Sequence, residues 1–158
     1  MVRRCARSIR GRWVHGAQPK RGKNVSVMGA IGLKGLIAQW SGLGSVDALT
    51  FEAFIARHLV PKLWPGAVVM MDNCSIHKDP EIEALSTQAG ARLIYLPPYS
   101  PDFSPIENCW SKIKSILRTL GARTYPDLLA ALITAFETVT EQDLLGWFDN
   151  CYYCVMPD

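Results

Sequence analysis

The chain of 158 residues has no aspartate or glutamate before Asp47, and after Arg123 it has no lysine or arginine. Residues 1–23 hold eight basic residues and no acid, whereas the stretch past Arg123 holds six acids. The net charge of +3 hides this split. A basic head and an acidic tail suit one end that faces a polyanion and one that faces away from it. A solvated arm and a solvated helical face explain either segment taken alone equally well. Long apolar runs are also missing: nothing nears the ~18 residues of a membrane-crossing helix. The arginines at the start are followed by no apolar core, which excludes a secretory signal. A disulfide framework is absent too. The five cysteines are an odd number, and Cys5, Cys74 and Cys109 lie far apart. Free thiols in a reducing, cytoplasmic setting are therefore expected. Cys151 and Cys154 form a lone CxxC with no second pair and no nearby histidine. Two half-buried thiols explain it more simply than zinc or redox chemistry.

What remains is enough apolar chain for one core. Residues 1–23 carry no apolar period and read as a basic arm. Residues 24–158 show no repeat or linker and read as one domain. Residues 24–33 (NVSVMGAIGL) and 36–43 (LIAQWSGL) predict an antiparallel hairpin turning at Gly35. Residues 47–64 predict a helix with Phe51, Phe54, Ile55, Leu59 and Leu63 on one face, stopping or kinking near Pro61. Residues 67–71 (AVVMM) contain nothing polar and predict a strand buried on both faces. Asp79 caps a helix that starts at Pro80 and stops before Gly90, and residues 92–96 (RLIYL) predict another strand. That order implies a parallel, right-handed crossover. After the stiff loop LPPYSPDFS comes an amphipathic helix over 105–120, with Ile106, Trp110, Ile113, Leu117 and Leu120 on one stripe. Thr124 with Asp127, and Thr140 with Asp143, predict capping boxes opening two further helices. The fold class is α/β: a mixed sheet of hairpin plus parallel strands, with flanking helices.

Two carboxylates stand where chemistry is favoured. Asp72 lies at the carboxyl end of a strand, where open α/β sheets place ligands. Alone, it could simply begin a turn with Asn73. Glu107 lies in the first turn of the 105–120 helix, and alone it could be the partner of Ser104 in a capping box. If the 92–96 strand lies beside the strand ending in Asp72, the following loop brings Glu107 back over the same sheet edge. Two converging carboxylates suit Mg²⁺ with phosphate oxygens, and hence phosphoryl transfer. His77 is near the same edge and could approach a scissile phosphate or an attacking water. Tyr99 could stack on a base. Lys112 and Lys114 could contact phosphates, or merely form a solvated helical face.

VVMMDNCSIH, LIYLPPYSPDFSPIENCWSKIK and PKRGKNVSVMGAI closely resemble the catalytic domain of mariner-type DDE transposases of the bacterial insertion-sequence branch. The resemblance runs from about Arg7 onward. It implies an RNase H-like fold in which three acids hold two Mg²⁺ (or Mn²⁺) ions, cutting transposon ends and joining them to target DNA. Asp72 would be the second acid and Glu107 the third, both as metal ligands, with Asn73, His77, Tyr99, Lys112 and Lys114 as DNA contacts. The partners implied are DNA and a second transposase chain, at the bacterial nucleoid. The first acid of the family lies on a strand upstream of the block matching residues 7–13, so the expectation is a truncated domain that lacks its first strand. A sheet with such a gap is expected to be marginally stable or prone to aggregate, which a sharp, high thermal transition would contradict. The alternative is a catalytically dead remnant that binds DNA or pairs with an intact transposase.

Overall fold

The computed structural model describes residues 24–153, together with the two short pairs Ala6–Arg7 and Trp13–Val14. Those pairs, β1 and β2, form an antiparallel ladder with Arg7 opposite Trp13. The rest of the expected basic arm over residues 1–23 lies outside the described residues.

The hairpin is β3 (Val25–Gly32) and β4 (Gly35–Leu43), turning through Gly35 at φ 149°, with a register shift between Ala30 and Ile31. Side chains alternate across a strand. Met28 and Ala30 therefore join one core cluster, and Val27 and Ile31 join the other. Helix α1 (Ala48–Phe54) covers the first face, capped by the Asp47 carboxylate on the Thr50 amide. Its continuation widens to π spacing over Ile55–Leu59, with the Val60 amide bonding the Ile55 carbonyl, and then tightens to a 3₁₀ turn at Val60–Lys62. Pro61 explains the change. It has no N–H to donate, and its ring crowds the carbonyl four residues back, so the ladder must shift.

Strand β5 (Val68–Met71), helix α2 (Pro80–Gln88) and β6 (Arg92–Tyr95) follow. β5 and β6 pair in parallel with Met71 opposite Tyr95, as the strand–helix–strand order predicts. Asp79 caps α2 by accepting from the Glu81 amide, and Ile82 and Ser86 of α2 are buried. Then come α3 (Pro105–Leu120), α4 (Tyr125–Glu137) and α5 (Glu141–Asn150). α3 and α4 cover the second face of the hairpin through Cys109, Ile113, Leu132, Ala135 and Phe136. Cys151 is buried next to α5, and Cys154 lies outside the described residues. Burial pushes the Cys109 thiol up to about 11, so it stays protonated.

One expectation about β5 is corrected. Val68 is 53% exposed and the rest of β5 is only half-buried. The described strands form three separate two-stranded sheets, and no ladder joins β3 to β5. An apolar strand with one unpaired edge has neighbours on one side only, so it is not buried on both faces as its sequence suggests.

The end of the chain is fastened by a clasp. The Thr140 hydroxyl accepts from the Asp143 amide and Asp143 Oδ2 accepts from the Thr140 amide, closing a full capping box. Lys112 of α3 donates to the same carboxylate at 2.5 Å and to the Thr138 carbonyl at 2.8 Å. The Lys112 ammonium and the Thr140 donors hold the Asp143 carboxyl down at about 2, below its ordinary 3.8. A carboxyl depressed by folding contributes stability that is complete above about pH 4 and disappears as pH falls through about 2. Urea midpoints of the wild-type protein and Asp143→Asn should therefore differ at pH 5 and converge as pH falls from about 4 to 2. A constant difference across that range would contradict the clasp.

Candidate metal and nucleic-acid site

Asp72 is the first residue past β5. Its Oδ1 accepts the Cys74 amide at 3.0 Å, which is the turn a sequence reading allows, and it also meets His77 Nδ1 at 2.6 Å. The side chain is 66% exposed, and Oδ2 has no partner among the described residues. His77 sits in a 3₁₀ turn (Ser75–His77), its ring 4.3 Å from that of Phe51 and its carbonyl bound by the Tyr95 hydroxyl at 2.8 Å. Phe51 comes from the first core cluster and Tyr95 from β6. The core therefore sets the imidazole, and the imidazole sets one oxygen of Asp72. The sequence gives no sign of Phe51 or Tyr95 in this role, because both contacts are tertiary.

Glu107 is placed by α3. Its capping reading fails: the Ser104 side chain makes no cap, and the Glu107 amide bonds the Ser104 carbonyl instead. The carboxylate is exposed with no partner among the described residues. Trp110, one turn later on the same helix face, lies so close to β3 that a Cβ on Gly29 would be 3.2 Å from its ring. Its other neighbour is Phe136, edge-on at 6.0 Å. The missing side chain of Gly29 is thus what lets α3 approach β3 at the height of Glu107.

The loop before α3 is tied from behind. The Tyr153 hydroxyl donates to the Phe103 carbonyl at 2.8 Å, and the Tyr152 and Phe103 rings lie 6.1 Å apart. Tyr99 stands fully exposed with φ 55°, in the left-handed region that non-glycine residues rarely adopt. Prolines 97, 98 and 101 flank it and stiffen its backbone. Lys114 is exposed. Lys112 is already engaged by Thr138 and Asp143, so its position fits a tether between helices better than the phosphate contact expected of it. Asn73 keeps a buried Oδ1 that has no hydrogen-bond partner.

Asp72, His77 and Glu107 line one cavity of about 930 Å³, whose walls are β3, β5 and the α1 segment. Among the described residues Asp72 and Glu107 are its only acids. Among the described residues no three His, Cys, Asp or Glu side chains gather as a metal centre. The two carboxylates are hard oxygen donors with free lone pairs, the kind Mg²⁺ and Mn²⁺ take. The residues therefore fit a divalent ion that also relies on ligands from elsewhere.

The fold is that of known transposases. The mariner transposase Mos1 in a paired end complex with manganese superposes with a TM-score of 0.73 at 14% identity, covering 96% of this chain and 49% of that one. The Mos1 strand transfer complex gives 0.67 at 17% identity, covering 88% of this chain and 42% of that one. The Mos1 catalytic domain with raltegravir and magnesium gives 0.63 at 15% identity, covering 83% and 73% respectively. The chain thus spans under half the length of the first two. No curated protein sequence matches it. The RNase H-like α/β architecture expected from the sequence is thereby established. A family model described as a DDE superfamily endonuclease matches residues 1–129, well over half of the sequence, and the chain belongs to that family.

Proposed function

We propose that this chain carries the second and third acids of a DDE transposase catalytic site, Asp72 and Glu107, for metal-dependent DNA strand cleavage and strand transfer. The observation that supports this best is that both carboxylates line one cavity, although a helix and a strand separate them in sequence. When bound, divalent ions would make a water or 3′-hydroxyl more acidic and stabilise charge on the leaving oxygen. Asp72 and Glu107 would hold them, and His77 would orient the Asp72 carboxylate through its contact with Oδ1. Tyr99 would stack on a base, Lys114 would contact a phosphate, and Asn73 would lie close to the strand being cut. The full reaction needs a third carboxylate from outside the described residues. The DNA would be transposon ends and target, and a second transposase chain would be the protein partner. The manganese, magnesium, paired end and strand transfer complexes of the similar Mos1 structures accord with this.

The alternative is a chain that binds DNA or pairs with an intact transposase without cutting. The observation favouring it is that, among the described residues, only two acids line the cavity. Mn²⁺ titration and nicking of supercoiled DNA separate the two. The wild-type chain should bind Mn²⁺, and Asp72→Asn and Glu107→Gln should each weaken that binding at least about tenfold. Any Mn²⁺-dependent nicking should vanish in both variants. Equal binding and equal nicking by all three proteins would overturn both assignments.

A further inference from the structure

A second pocket, of about 320 Å³, lies outside the cavity that holds Asp72 and Glu107. Phe54 stands between the two and lines both. The floor of the second pocket is Trp40 of β4, and its wall is the flank of α1 that carries Leu49 and Ala53. Side chains of a strand stand roughly perpendicular to the sheet. Trp40 does not: its ring lies over Gly42, where any Cβ would collide with it. An upright tryptophan would fill the space beneath α1. Lying along the strand, it leaves that space open, and the missing side chain of Gly42 is what allows it. Leu49 of the wall is 74% exposed.

The two ends of the pocket differ in charge. At one end Thr50 is tied through its hydroxyl to the Asp47 carboxylate. At the other are Arg57 and His58, carried by the π turn that Pro61 forces. The His58 ring stacks on Phe54 at 6.0 Å. Neither Arg57 nor His58 has an ion-pair partner among the described residues, and none of the described residues lining the pocket is an acid. Basic residues near the end of a helix also suit its dipole, but that role needs no aromatic floor and no hollow. Width decides what enters. The lining from Leu49 to His58 runs about 13 Å along the helix, at about 1.5 Å per residue. Spread over that length, the 320 Å³ gives a section of about 25 Å². A helix about 10 Å across needs about 80 Å², and a strand of about 4.8 Å by 10 Å needs about 48 Å². A stacked base, about 3.4 Å thick, passes.

We propose that this pocket binds one nucleotide, with its base stacked on Trp40 and its phosphate on Arg57 and His58. The polarity follows from charge. Asp47 repels a phosphate from the Thr50 end, and Arg57 offers a fork of N–H donors at the other. Every base has a π-face, so stacking on the indole tolerates any of them. The pocket thus selects a flat ring that carries an anion, and not a sequence. Two sources supply that chemistry: a free nucleoside monophosphate, and an unpaired nucleotide of a DNA strand. A paired base is closed off inside the duplex stack. The site uses neither Asp72 nor Glu107, so it stands whether or not those carboxylates hold metal.

The test uses the full chain without metal. The probes are deoxyadenosine 5′-monophosphate, deoxyadenosine, a DNA duplex with one bulged adenine, and the same duplex fully paired. The monophosphate should shift the indole N–H of Trp40 and the Nε–H of Arg57, and leave the signals of Asp72 and Glu107 where they are. Gly42→Ala should weaken binding by about tenfold or more, because the new methyl lifts the ring from the strand. Arg57→Gln should weaken binding of the phosphorylated probes and leave deoxyadenosine unaffected, and Arg57→Lys should restore part of the loss. Arg57 is exposed, so its substitution keeps the fold and decides the matter even if Gly42→Ala melts early. Binding of the monophosphate assigns the site to free nucleotide, and binding of the bulged duplex alone assigns it to a DNA strand. The proposal is overturned if neither probe moves Trp40, if the fully paired duplex moves it equally, or if Arg57→Gln changes nothing. It is also overturned if a phenylalanine peptide flanked by glutamates moves Trp40 when neither nucleotide probe does, which would make the pocket a protein contact.

Discussion

Replacing Trp110 with alanine should lower stability by about 3 kcal/mol and loosen Glu107 in the same step. The ring is half-buried between Gly29 of β3 and Phe136 of α4, and its removal leaves a hole that neither neighbour can fill. For a domain of this size that is a fall of roughly 6–12 °C in melting temperature. Trp110→Phe should restore most of it. Mn²⁺ affinity should fall in Trp110→Ala even at temperatures where the protein is fully folded, because Glu107 lies one turn away on the same face. Unchanged melting would show that α3 is held by its other contacts and that Trp110 is not its seat.

The second large effect is expected at Phe51, which is 8% exposed and packs on both Phe54 and His77. Phe51→Ala should cost about 3–4 kcal/mol. Phe51→Leu, closer in volume, should cost less than about 1.5 kcal/mol. The imidazole would lose its wall in the alanine variant, and its hold on Asp72 Oδ1 would loosen. Ring resonances of His77 should then show exchange broadening that is absent in the leucine variant. A His77 spectrum that stays sharp in Phe51→Ala would mean that the Tyr95 hydroxyl alone fixes the turn. Phe51 and Trp110 belong to separate core clusters on opposite faces of the hairpin. Their costs should therefore nearly add, and the double variant should approach the whole stability of an ordinary domain, about 5–15 kcal/mol.

The elements were legible in the sequence because each is punctuated locally. Gly35 turns the hairpin, Asp79 with Pro80 opens α2, and Thr140 with Asp143 boxes α5. The parallel pairing of β5 with β6 followed from chain order and connection rules. Three things were not legible, and each for a tertiary reason. Ser104 and Glu107 have the letters of a capping box, but at ψ 93° the Ser104 side chain makes no bond to the helix amides. Lys112 looks like a free cation on a helix, but a carboxylate 31 residues later takes it. The run AVVMM has the composition of a strand covered on all sides, but burial depends on a neighbour that pairs with its far edge, and composition cannot supply one.

The hydrogen bond from Tyr153 to Phe103 joins residues 50 apart in sequence. On a ribosome adding about 5–20 residues per second, the loop that presents Glu107 is made roughly 3–10 s before the tyrosine that ties it. Throughout that interval the prolines, and not the tertiary bond, must hold the loop in shape. Its stiffness is thus a matter of timing as much as of final geometry. Softening it with glycines should harm the yield of correctly assembled protein during synthesis more than it harms the stability of protein already folded.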